Sequence, residues 1–198
     1  MFVVNSLLRI LGGFFMSKNK FSTKQLVFCA MLLALATVIS TVVKLPSLPY
    51  GGSVTLFSML IICLAGYWYG AAIGLITATA YGILQFIVGP YFVHPIQVLL
   101  DFPLAFGALG LSGFFSKKKH GLMIGYIVGV FGRFVFHEIS GFIFYTEYVG
   151  NVHGNLLAIL TSTVYNLSYI LPEMIATILL LALPSVSSSL AKIKTMAM

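Results

Sequence analysis

Residues 81–110 read YGILQFIVGPYFVHPIQVLLDFPLAFGALG: two apolar helical stretches joined through Gly89-Pro90 and His94-Pro95. Proline lacks an N–H and restricts the residue before it, so both pairs mark helix ends. The second stretch carries Asp101, with Gln97 one turn earlier on the same face. A carboxylate inside a lipid-length apolar segment is costly, and its default reading is functional. The competing reading is an acid facing water at a helix end.

Composition decides what surrounds this stretch. The 198 residues are 60% hydrophobic and 8% charged, with a mean hydropathy of +1.06. Soluble domains carry about 25% charged residues, so water is not the solvent for most of this surface. The apolar runs are continuous rather than alternating, which excludes a porin-like barrel. The class is an all-α polytopic membrane protein of one domain. Cys29 and Cys63 lie in apolar runs without CxxC or Cys/His spacing and read as free core thiols.

Six spans are expected, over about 25–43, 54–68, 70–88, 96–115, 121–144 and 156–183, with a tight turn at Gly66–Gly70. With the N-terminus inside, nine of the eleven basic residues fall inside: Arg9, Lys18, Lys20, Lys24, Lys117, Lys118, Lys119, Lys192 and Lys194. Lys44 lies outside and Arg133 within a span. The positive-inside rule therefore predicts an N-in, C-in protein. It also accounts for the net charge of +7 without nucleic acid. The predicted division is a cytoplasmic extension over 1–23, a transmembrane substrate-binding domain over 24–184 and a cytoplasmic tail over 185–198. Residues 1–15 read either as an interfacial helix or as an upstream extension of a frame that starts at Met16. The outer loops Lys44–Ser53, Gly89–Pro95 and Tyr145–Asn155 are rich in Gly, Pro, Tyr and His, and suit closure over a small ligand.

Span five sets Arg133, His137 and Gly141 at i, i+4 and i+8, flanked by Ser140 and Phe144. Its company on that stripe favours ligand contact for His137 over an interior hydrogen bond. For Arg133 two readings are open: ligand contact, or pairing with a carboxylate such as Asp101 or Glu138. Glu138 is rotated about 100° from His137. Its candidate roles are pairing with Arg133, a protein contact, or negative potential at the pocket. Span six carries Ser162, Asn166, Tyr169 and Glu173 as a polar stripe. Asn166 suits the amino group and ring nitrogen of a heterocycle, or a helix–helix hydrogen bond. Ala30 and Ala34 give span one a small-xxx-small spacing that permits close helix approach. No nucleophile elbow, HExxH or phosphate loop is present, so neither an enzyme nor an ATPase is indicated. Asp101, His137 and Glu138 do not make a metal site, because adjacent residues diverge on a helix.

GPYFVHPIQVLLDFPLAF (89–106), GRFVFHEISGFIF (132–144) and TSTVYN (161–166) resemble, in order and spacing, the thiamine-binding S components of energy-coupling factor (ECF) transporters, the ThiT family. The resemblance runs from about Lys24 to Pro184. It implies the six-helix S-component fold and a substrate site at Tyr91, Gln97, Asp101, Phe102, Arg133, His137, Gly141, Tyr145 and Asn166. It implies docking through Ala30 and Ala34 on a coupling transmembrane subunit, with ATP used by two partner ATPases and no cofactor in this chain. The location implied is the bacterial cytoplasmic membrane. Two positions depart from the family pattern: Thr161 replaces a tyrosine, and Gly52 or its neighbours replace a tryptophan. They put affinity and the exact heterocycle in question. A thiamine precursor is the alternative substrate, and a membrane enzyme or stand-alone channel is the more distant alternative function.

Overall fold

The structure, a computed structural model, describes residues 21–45, 48, 52–91, 93–144 and 155–198, with the backbone alone for Asn155. The N-terminal segment with Arg9, Met16, Lys18 and Lys20 lies outside the described residues, as does Tyr145.

Among the described residues seven helices follow in order. They are α1 Thr23–Val42, α2 Ser58–Tyr69, α3 Ala71–Val88, α4 Pro95–Phe115, α5 Gly121–Ile143, α6 Asn155–Ala182 and α7 Pro184–Ala197. Five of them, α1 and α3–α6, are long and apolar enough to cross a membrane. The start of α1 is set by a capping box in which Ser22 and Gln25 satisfy each other's backbone N–H groups. His94 caps α4 by accepting from Ile96 N–H, and Pro95 occupies the first turn, where no N–H is needed. Gly70, at φ 91°, makes the α2–α3 turn in a conformation that costs a residue without Cβ nothing.

The second span begins later than the sequence suggests. Lys44 and Thr55 form a β-bridge, and Phe57 takes a left-handed conformation before Ser58. The remaining 12-residue helix is about 18 Å long at 1.5 Å per residue, short of the ~30 Å hydrocarbon core. It lies buried along nearly its whole length, so its backbone needs no lipid-length run. Its N-terminus ends on Glu173 of α6. The Glu173 carboxylate accepts from Met59 N–H at 3.3 Å and Ser58 Oγ at 3.4 Å. It also accepts from Thr55 N–H at 3.4 Å and Thr55 Oγ1 at 3.3 Å. An acid from another helix therefore supplies the cap that Phe57 cannot.

Around an apolar core, several polar side chains point inward and many large apolar ones point outward. Gln97, Arg133, Ser140, Asn166, Glu173 and Thr177 are buried, whereas Leu26, Met31, Leu35, Phe131, Leu156, Val164 and Leu179 are exposed. That distribution belongs to a bundle dissolved in lipid. Close backbone approach holds the half opposite the α2 N-terminus together. A Cβ on Gly113 of α4 would collide with the Ala71 backbone of α3, and one on Gly125 of α5 would lie 2.8 Å from Ser112 O. At that same end α7 folds back on the bundle. Lys194 Nζ donates to Ser116 O at 3.0 Å and lies 3.8 Å from the Tyr67 ring centroid, while Tyr69 Oη donates to Ala197 O at 3.2 Å. Partial burial there lowers the Lys194 pKa from the usual lysine value.

Candidate functional site

Helix α4 changes character where it carries its acid. Leu100–Leu104 form a π-helical turn around Pro103. Proline removes one ladder hydrogen bond and its ring crowds the preceding turn, and a π-bulge absorbs both faults. Asp101 and Phe102 therefore sit on a widened turn and face a cavity of about 380 Å³. Its volume falls in the ~300–1,000 Å³ range of small-molecule sites.

Tyr91, Gln97, Asp101, Phe102, Arg133, His137, Gly141 and Asn166 all line this cavity. Ala30 and Ala34 do not; they are exposed on α1, away from the face that buries Cys29, Leu32, Ala36 and Ser40. Ser40 and Thr41 of α1, Gln85 of α3, Phe106 of α4 and Tyr165 and Tyr169 of α6 complete much of the wall, together with Lys44. Tyr169 belongs to the polar stripe expected on span six and Lys44 to an expected outer loop; the sequence reading did not anticipate the others, although Gln85 is the only amide side chain in α3 and had the signal of a polar residue in an apolar run.

The polar wall is a directed network. Gln97 Nε2 donates to Asp101 Oδ2 at 2.6 Å, and Gln97 Oε1 accepts from Val93 N–H at 3.2 Å. His137 Nδ1 lies 3.0 Å from Asp101 Oδ1, and Arg133 Nε donates to His137 Nε2 at 3.2 Å. A guanidinium N–H can only donate, so the His137 proton sits on Nδ1 and points at Asp101. Among the described residues no lysine or arginine forms an ion pair with Asp101, whose contact with His137 is a hydrogen bond from the imidazole. Arg133 pairs with neither Asp101 nor Glu138 there, and its guanidinium lies 4.2 Å from the Phe106 ring centroid instead. Glu138 accepts from Asn166 Nδ2 at 2.8 Å and from Thr163 Oγ1 at 3.0 Å, and it is not on the cavity wall. Asn166 also donates to Ser162 Oγ at 3.2 Å and accepts from Tyr169 Oη at 2.8 Å. Both amide hydrogens are thus committed, and an oxygen lone pair remains for a ligand. Gly141 has a packing role too, since a Cβ there would strike Ser162 Oγ.

Gly52 sits against α6. Its N–H donates to Tyr165 Oη at 2.8 Å, and a Cβ on it would fall 2.6 Å from that oxygen and 2.9 Å from the Tyr169 ring. The described residues hold no group of three or more His, Cys, Asp or Glu able to bind a metal.

A lipid-dissolved helical bundle enclosing a polar, aromatic-walled cavity of this size is an integral membrane protein built to bind a small molecule. Residues 26–192 match the profile of the thiamine transporter protein (Thia_YuaJ) family. The chain is 33% identical over 174 residues to the thiamine transporter ThiT of Bacillus subtilis (strain 168), covering 80% of this chain and 88% of that protein. The solved structure of ThiT from Listeria monocytogenes superposes with a TM-score of 0.63 at 23% identity, over 84% of this chain and 96% of that one. The chain belongs to the thiamine transporter protein family. It is a multi-pass bacterial membrane protein of a transporter family, not an enzyme.

Proposed function

We propose that this chain is the substrate-binding S component of an ECF-type importer. It captures thiamine from outside and delivers it inward when docked on a coupling transmembrane subunit driven by two ATPases. The observation that carries this reading is Asp101: a carboxylate on the cavity wall with no lysine or arginine partner among the described residues. The thiazolium of thiamine is a permanent cation, and its attraction to a carboxylate grows as the surrounding dielectric falls. Tyr91 and Phe102 offer aromatic faces on the same wall.

Orientation supports capture from outside. The cavity is lined near the C-terminal ends of α1 and α3 and the N-terminal ends of α4 and α6. Lys117–Lys119 and Lys194 mark the opposite end. With the lysine-rich end inside, the proposed topology is six spans with both termini in the cytoplasm and the cavity toward the exterior. The exposed Ala30 and Ala34 leave a small-residue face on α1 for the coupling subunit.

A second reading, an S component for a thiamine precursor, is favoured by Thr161 and Gly52, where the resembling family has a tyrosine and a tryptophan. Mass spectrometry of the small molecule retained by protein purified without added vitamin decides between them. Thiamine supports the first reading; a neutral pyrimidine or another heterocycle overturns it.

A further inference from the structure

Thr161, Tyr165 and Tyr169 recur every fourth residue along α6, and all three line the cavity. Tyr169 is 5% exposed and its hydroxyl is committed to Asn166 Oδ1. Tyr165 is only half-buried, so its ring contributes surface rather than packing alone. Two contacts with described residues orient that ring. Its hydroxyl accepts from Gly52 N–H at 2.8 Å, and it packs in a T-shaped pair with the Tyr169 ring at a centroid distance of 5.6 Å and an interplanar angle of 67°. Gly52 fits there because it has no Cβ, whose place would lie 2.6 Å from Tyr165 Oη. A ring anchored at its tip and along its side keeps one orientation without paying for it when a ligand arrives.

We propose that Tyr165 is a specificity-determining residue that presents an aromatic face to a flat, positively charged heteroaromatic ring. The ring's negative face and the Asp101 carboxylate act within one cavity, so together they favour a cation over a neutral isostere of the same shape. Gly52, without a side chain, and the short Thr161 lie beside Tyr165 on the same cavity wall. The inference rests on the thiamine reading and extends it to a further residue of the cavity wall.

The test is calorimetry of the purified protein with thiamine and with deazathiamine, in which carbon replaces the cationic nitrogen. Tyr165→Leu should weaken thiamine about tenfold and deazathiamine less than about threefold, which lowers the preference for the cation. Tyr165→Phe keeps the ring and should keep that preference. Fluorinated phenylalanines introduced at position 165 preserve shape while draining the negative face, and thiamine affinity should fall stepwise with fluorine number. Equal weakening of both ligands by the leucine variant, or affinity that ignores fluorination, overturns the role of Tyr165 and leaves the thiamine reading intact. Failure of the unaltered protein to bind thiamine overturns both.

Discussion

A 2.8 Å hydrogen bond from Asn166 Nδ2 to Glu138 Oε1 joins α6 to α5 behind the cavity wall. Glu138 contacts the cavity wall through Asn166, not through Arg133. Glu138→Ala frees one amide hydrogen and lets the Asn166 side chain turn. Thiamine affinity should fall about tenfold, and the loss should be far from additive with that of Asn166→Ala, because the two residues form one unit. Additive losses in a double-mutant cycle by calorimetry would separate them.

Asp101→Asn removes the counter-charge while keeping the shape of the side chain. Charged hydrogen bonds contribute about 1.5–3 kcal/mol, so thiamine should weaken roughly tenfold to more than a hundredfold. A neutral aminopyrimidine fragment should weaken less, because it carries no cation. Wild-type thiamine affinity in this variant would make the carboxylate structural.

Glu173 holds the buried start of α2 through Met59, Ser58 and Thr55. Glu173→Ala strands those donors, and each unpaired buried group costs about 1–3 kcal/mol. The purified protein should unfold at a clearly lower temperature. Glu173→Gln retains one acceptor oxygen and should lie between the two. An unchanged midpoint for the alanine variant would show that water replaces the carboxylate.

Ser140 Oγ is buried without a hydrogen-bond partner among the described residues. Ser140→Ala removes a desolvated hydroxyl that forms no such bond there, so thermal stability without ligand should hold or rise. A marked fall in the unfolding temperature would reveal a partner for the hydroxyl.

Cysteines introduced singly at Lys44 and Lys118, after removal of Cys29 and Cys63, report orientation. An impermeant thiol reagent on intact cells should label position 44 and spare position 118. The reverse pattern would place the cavity on the cytoplasmic side. Ala30→Trp or Ala34→Trp should abolish uptake with near-normal equilibrium binding by the isolated protein; equal loss of both would make that face packed core.

The sequence by itself determined the class of protein, most of its helix boundaries and its family. Continuous apolar runs demand lipid, Gly89-Pro90 and His94-Pro95 end helices wherever they occur, and lysine counts need no partner to be read. These are properties of short stretches and add along the chain. Polar residues in such runs were equally legible as inward-facing, and Gln97 to Asp101 is a bond within one helix. The tertiary structure decided which distant groups meet. Glu138 joins Asn166 across 28 residues of chain, Gly52 joins Tyr165 across 113, and Glu173 reaches Met59 across 114. The start of α2 at Ser58 also depends on a neighbouring helix, through Glu173. A hydrogen bond depends on a separation of about 3 Å and on direction, and only the packed helices fix both.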